Sequence, residues 1–207
     1  MDHNNNLMIW NCTTGMPWAA WAIVAVCWSV AIVYWVVAAF RGRRSSRPVA
    51  QRAGAGWIVA AVAIALAVVL LPQQIWYPLR VCTTWVRWSG VVLLVGGTVL
   101  DVWARSVLGK MWSSTPVTRV EHELRTGGPY ALVRHPMYTG LLSMLFGTGL
   151  MMGLGIWVPV LIADVIACVL KLRVEERLMI QQFGSAYREY QRRVPALVPW
   201  FYRSKVG

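Results

Sequence analysis

The sequence predicts an all-α integral membrane protein, with about five transmembrane helices and a C-terminal cytoplasmic amphipathic helix. Three observations carry this reading. Of 207 residues, 57% are apolar and only 14% charged, a balance soluble domains rarely reach. The apolar residues gather into runs of about 17 or more, the length needed to cross a hydrocarbon core. Thirteen Trp residues suit the membrane–water interface, where an amphipathic ring is at home.

Residues 1–16 are polar and Asn-rich without Lys or Arg, so they do not read as a signal peptide, which starts basic. The first span is expected over Pro17 to Phe40, followed by a basic loop from Arg41 to Arg52. The second runs from Gly54 to Leu71 and stops at Pro72, and the third from Trp88 to Ala104 with Asp101 near its end. A polar segment, Arg105 to His135, follows; connections of this length are usually functional surface. The apolar run from Met137 to Leu170 carries one charge, Asp164. As a single helix it would be about 50 Å long, well beyond a ~30 Å core. Two short spans fit better, Pro136 to Met152 and Ile156 to Leu172, turning at Gly153-Leu154-Gly155. From Lys171 onward, Leu172, Met179, Phe183 and Tyr187/Tyr190 recur at helical spacing with charge between them. Gly184 should break or bend that helix, and Pro195 and Pro199 should end it. Gly149-x-x-x-Gly153 reads as a small-residue packing pattern between helices; it lacks the strand and spacing of a dinucleotide fingerprint.

The net charge of +12 reads as membrane orientation rather than nucleic-acid binding, because the basic residues flank apolar runs. With the N-terminus outside, the inner segments hold five, five and eight Lys and Arg, and the outer segments hold two, Arg80 and Arg87. That asymmetry predicts a multi-pass protein of the inner (cytoplasmic) membrane with its C-terminus in the cytoplasm. Cys12, Cys27, Cys82 and Cys168 are too scattered for a metal site. Cys12 and Cys82 would both lie outside and are placed to pair.

The chain is organised around Gly127-Gly128-Pro129-Tyr130-Ala131-Leu132-Val133-Arg134-His135-Pro136-Met137-Tyr138-Thr139-Gly140. A glycine–proline turn leads into an Arg-His pair and then into a helix with Pro in its first turn. Such a start leaves backbone N–H groups free at the positive pole of the helix. With Arg134 beside it, this end is a ready anion site. A second polar cluster, Arg173 to Arg177, falls on the same side of the membrane in the orientation above.

Two motifs here resemble the isoprenylcysteine carboxyl methyltransferase family. One is His122-x-Leu124-x-x-x-Gly128-Pro129-Tyr130-x-x-Val133-Arg134-His135-Pro136-x-Tyr138-x-Gly140. The other is Glu175-Glu176 followed by Phe183-Gly184-x-x-Tyr187-x-x-Tyr190-x-x-x-Val194-Pro195. The similarity covers about residues 100 to 200. It fits one membrane domain over 1–207, in which two N-terminal spans in 1–87 carry no family signature and the methyltransferase-like core occupies 88–207. It implies S-adenosylmethionine as methyl donor, a lipophilic or lipid-modified acceptor, contact with membrane lipids, and kinship to phospholipid N-methyltransferases. Carried over residue by residue, the cofactor region is Pro129, Tyr130, Val133, His135, Tyr138 and Gly140. Arg134 and the Arg173, Glu175, Glu176 cluster fall on the acceptor and catalytic side. The acidic run is shorter than in the eukaryotic enzymes.

The residue chemistry agrees with this reading. Tyr130 and Tyr138 offer aromatic walls, and Glu175 or Glu176 an ammonium partner. Adjacent helical residues point about 100° apart, so one Glu should face the ligand, with Glu176 preferred. A carboxylate acceptor is ionised at neutral pH and needs only orientation, which an arginine supplies in two-point fashion. An amine or thiol would need a base, for which the Glu pair is the candidate. The bland alternatives are a headgroup-binding anchor at Arg134-His135 and a solvated helix face at Glu175-Glu176. His122 reads as structural. Asp101 reads as a partner of Arg105, and Asp164 as an interhelical or acceptor-facing acid. A phospholipid or amine N-methyltransferase, an NADPH-dependent reductase and a non-enzymatic scaffold or sensor stay open.

Overall fold

In a computed structural model, residues 18–42, 71–108 and 124–199 are described. The expected second span, the loop after Arg41, Cys12 and His122 lie essentially outside them. The described chain is helical: α1 (Trp18–Gly42), α2 (Thr84–Leu108), α3 (Pro136–Met151), α4 (Trp157–Phe183) and α5 (Ser185–Arg193). Short 3₁₀ turns lie at Gln73–Leu79 and Gly128–Ala131. Among the described residues, α1 over Trp18–Val37 and α2 are long and apolar enough to cross a membrane.

The fold rests on a close crossing of α2 and α3. Gly90 and Gly97 on α2 face Gly147 and Gly140 on α3. A methyl group placed on Gly97 would lie 2.6 Å from the Gly140 carbonyl oxygen, and one on Gly147 would lie 2.5 Å from that of Gly90. Seven residues are almost two full turns, so both glycines of each helix share one face. With no Cβ there, the backbones come together and bury Leu94 and Met144 at 0% exposure between them. Gly140, expected at the cofactor, is thus a helix-packing residue: a Cβ on it would sit 2.9 Å from the Asp101 backbone nitrogen.

α1 lies against this pair through Ala20, Cys27 and Ala31. Two tryptophans tie it down: Trp28 Nε1 donates to Thr148 Oγ1 at 3.2 Å and Trp35 Nε1 to Asp101 Oδ2 at 2.8 Å. Asp101 therefore bonds across helices rather than simply pairing along its own. The Arg105 guanidinium lies 5.3 Å from the Trp35 ring centroid.

The helix ends differ from the hydropathy reading for two reasons. α2 runs from Thr84 to Leu108, four residues beyond the expected span at each end. Its flanking charges are accommodated inside the fold: Arg87 is 5% and Arg105 2% exposed. Arg87 Nε donates to the Met151 carbonyl at 3.2 Å, placing positive charge at the C-terminus of α3. The expected fifth span and tail helix are one helix, α4, of 27 residues. Charge after Leu170 marks a change of solvent, not of backbone, because Glu, Gln, Leu and Met all continue a helix. The break comes at Gly184, with φ 55° and ψ −123°, a left-handed conformation that costs glycine little. The α3–α4 turn falls at Gly153-Leu154-Gly155 as expected, all three at positive φ. Gly153 is thus a turn residue, whereas Gly149 packs on Trp157 and Leu161 of α4. Cys82 is disulfide-bonded, and Cys27 and Cys168 are free and buried.

Gly147→Ala should lower the thermal unfolding midpoint of detergent-solubilised protein, reflecting an overpacking cost of about 1–3 kcal/mol. Gly96→Ala, whose added methyl meets nothing within 4 Å, should leave it unchanged or raise it. Equal effects of the two changes would refute the close crossing.

Candidate active site

The site forms where the N-terminus of α3 meets the charged half of α4. The Gly127–Ala131 turn sets the approach. Pro129 is fully buried and Val133 is 2% exposed, beside the 7% exposed Tyr130. Tyr130 Oη donates to the Ala104 carbonyl at 3.4 Å, and its own carbonyl accepts from Tyr190 Oη at 2.5 Å. Burial pushes the Tyr130 phenol above its ordinary range. Pro129, Tyr130 and Val133 are therefore packed into the frame that presents the next two residues.

Arg134 is the hub. Its Nε and Nη2 donate to Glu176 Oε1 at 2.9 and 2.6 Å, and its Nη1 to the Gln191 and Val194 carbonyls at 3.1 and 2.5 Å. The guanidinium thus pairs with α4 and caps the C-terminal end of α5. The arginine expected as an anion or acceptor ligand is already engaged on every nitrogen. The backbone donors are engaged too: Arg134 N–H bonds the Pro195 carbonyl at 2.8 Å and His135 N–H the Ala196 carbonyl at 3.0 Å. Thr139 Oγ1 adds a bond to the Leu197 carbonyl at 2.7 Å. Residues 194–197 therefore form a strap along the expected anion site. The first intrahelical bond runs from Thr139 N–H to the His135 carbonyl, so among the described residues Met137 and Tyr138 keep the unbonded N–H groups of the helix start.

The two glutamates have different surroundings. Glu176 takes Arg134 and His135 on Oε1, the latter from Nε2 at 3.3 Å, and Gln191 on Oε2 at 3.2 Å. The His135 hydrogen bond, with Arg134, outweighs burial and holds its carboxyl at about 2, below the usual 4.5. Glu175 accepts from Tyr138 Oη at 2.5 Å and has His135 Nδ1 4.0 Å from Oε2. His135 thus stands between both carboxylates, with its ring 6.0 Å from that of Tyr138. The side chains of Glu175 and Glu176 are 26% and 21% exposed. Arg173 is exposed, and among the described residues it makes no hydrogen bond or ion pair with the cluster. No cluster of metal ligands occurs among the described residues. Thr139, Gln191 and the 194–197 strap were not anticipated. Thr139 carried one signal, a hydroxyl one turn beyond His135 in the first turn of the helix.

The phospholipid methyltransferase family model matches residues 85–186, from the start of α2 through the glutamate pair. The chain thus resembles the group of phospholipid and isoprenylcysteine carboxyl methyltransferases. Relatives within it include a protein-S-isoprenylcysteine O-methyltransferase B of Arabidopsis thaliana, 32% identical over 120 residues, 56% of this chain and 60% of that protein. A methanethiol S-methyltransferase of Pseudomonas deceptionensis is 30% identical over 115 residues, 56% and 43% of the two chains. The solved eukaryotic intramembrane Ras methyltransferase, an isoprenylcysteine carboxyl methyltransferase, has the same fold at a TM-score of 0.53 and 23% identity, covering 73% of this chain and 55% of that one. The chain thus spans about half the length of the family members it matches. The matched region contains the close α2–α3 crossing, the Gly127–Gly140 segment and the glutamate pair.

Glu176 has a depressed carboxyl, so its contribution to holding α5 and the strap is complete above about pH 4.5 and is lost as pH falls towards 2. Amide exchange in residues 185–197 should accelerate over that window. Glu176→Gln should show fast exchange at neutral pH already and lose the acid-dependent step. Unchanged protection in the variant would remove Glu176 from the clamp.

Proposed function

We propose that the chain is an integral membrane methyltransferase that moves a methyl group from S-adenosylmethionine to a lipophilic acceptor at the cytoplasmic face. The observation that carries this is the meeting of His135 and Tyr138 with Glu175, in the region that matches the family. We further propose five spans in one domain, with the N-terminus outside, the C-terminus inside and the inner membrane as location. The Lys and Arg asymmetry supports this topology.

The residues present fit the donor. Glu175 offers a partly exposed carboxylate with Oε2 4.0 Å from His135 Nδ1, beyond hydrogen-bond length, suited to an ammonium. Tyr138 and His135 offer ring surface beside it, and the N–H groups of Met137 and Tyr138 face an anion at the helix start. These four residues would hold the cofactor, which supplies an electrophilic methyl group when bound. Glu175 takes the role first assigned to Glu176, since Glu176 is occupied by Arg134, His135 and Gln191. Arg134 positions the site by fixing α4 and the strap against α3, and the buried Pro129, Tyr130, Val133 and Gly140 shape its wall.

Methyl transfer is an in-line displacement, so alignment and exclusion of water supply most of the catalysis. For a carboxylate acceptor, Glu175 acts electrostatically. For a thiol, the chemistry named for one relative, or for an amine, a base must take the proton, and the Glu175–Glu176 pair beside His135 is the candidate. The acceptor enters sideways from the bilayer between spans, because the clusters flank apolar helices.

Calorimetric titration of the full chain in detergent should show saturable binding of S-adenosylhomocysteine and none of NADPH. Binding of NADPH alone would overturn the reading in favour of a reductase. Glu175→Gln should lower turnover about 10²-fold in folded protein, whereas full activity would remove Glu175 from the chemistry.

A further inference from the structure

The proposed reaction needs something to orient the acceptor, and Arg134 is not available for it. Its guanidinium nitrogens are committed to Glu176 and to the carbonyls of Gln191 and Val194. A different cation stands at the open side of the site. Lys171 lies on α4 four residues before Glu175, one turn away on the same face. Its Nζ is 5.2 Å from the centroid of the Tyr138 ring, within reach of a cation–π contact. Tyr138 is the residue that donates to Glu175. Lys171 therefore sits against the outer part of the aromatic wall whose hydroxyl reaches the candidate catalytic carboxylate.

Three features set this lysine apart from the other basic residues of the tail. Glu175 is the carboxylate at the right helical spacing to neutralise it, yet Glu175 is turned to Tyr138 and His135. Among the described residues Lys171 makes no ion pair. Arg192 and Arg193, by contrast, pair with Glu189. Lys171 also stands at the changeover from the apolar to the charged half of α4. That is the depth at which the polar end of an amphiphile rests while its tail stays in the bilayer.

We infer that Lys171 is the acceptor-positioning residue and selects acceptors with an anionic head. This rests on the methyltransferase reading and narrows it. An ammonium on a ring face binds one oxygen of a carboxylate and leaves the second oxygen free to be methylated. A neutral thiol gains nothing from it, and a cationic amine is repelled.

The experiment compares wild type, Lys171→Gln and Lys171→Arg with two single-tailed acceptors in detergent micelles: an S-farnesylated N-acetylcysteine, anionic, and dodecanethiol, uncharged. S-adenosylhomocysteine affinity is measured for each variant. The expected result is that wild type methylates the anionic acceptor. Lys171→Gln should raise its KM at least tenfold with little change in kcat, and Lys171→Arg should restore most of it. Cofactor affinity should not move. Methylation of dodecanethiol, where present, should change less than twofold. Equal loss with both acceptors, an unchanged KM for the anionic one, or wild-type methylation of the thiol alone would overturn the assignment while leaving the methyltransferase reading intact. Absence of S-adenosylhomocysteine binding in folded wild type would overturn that reading, and this inference with it.

Discussion

Everything at the site depends on how closely α2 and α3 approach. Four glycines at heptad spacing remove the side chains that would hold the helices apart, and the backbones meet at near contact. A helix pair this close has little freedom to slide or rotate, because each carbonyl sits where the opposite Cβ would be. The N-terminus of α3 is therefore held at a fixed depth beside the end of α2. Tyr130 reads that depth through its bond to the Ala104 carbonyl. The charged end of α4 then meets a prepositioned Arg134, His135 and Tyr138.

The second constraint is electrostatic. Arg134 and Glu176 are 42 residues apart, one in the loop that leads into α3 and the other on α4. Both are mostly shielded from water, with side chains 11% and 21% exposed. A charge so placed needs its partner, and here one guanidinium serves a carboxylate and two helix-end carbonyls at once. The arrangement divides labour between neighbours in sequence. Arg134 and Glu176 hold the structure, while Glu175 bonds Tyr138 on one oxygen and leaves the other 4.0 Å from His135. The adjacent glutamates differ because their helix turns them about 100° apart, one towards α5 and one towards α3.

Much of the fold was legible in the sequence. Hydropathy located α1, α2 and the α3–α4 hairpin, because burying apolar side chains in lipid requires long uninterrupted runs. Pro136 announced the start of α3, and Gly184 the break before α5. The misreadings share one cause: a charge was taken as an end. Arg87 and Arg105 continue α2 because the fold supplies each with a buried environment, and Lys171 continues α4 because a helix is indifferent to the solvent around it. At the site, the motif spacing pointed to the right segments. It did not distinguish residues that face the cleft from those packed behind it, since Pro129, Val133 and Gly140 are as motif-bound as His135.

The sequence by itself determined that this is a helical membrane chain similar to the phospholipid and isoprenylcysteine carboxyl methyltransferases, with two polar clusters at the same end of its helices. Both facts follow from local quantities, the length of apolar runs and the order of residues within a motif. Only the tertiary structure decided which members of those clusters are already satisfied. Whether Arg134 can bind a ligand depends on Gln191, Val194 and Glu176, all more than 40 residues away. Whether the helix start is an anion site depends on where Pro195 and Ala196 come to lie. Hydrogen-bond capacity is a property of a residue, but its spare capacity is a property of the fold.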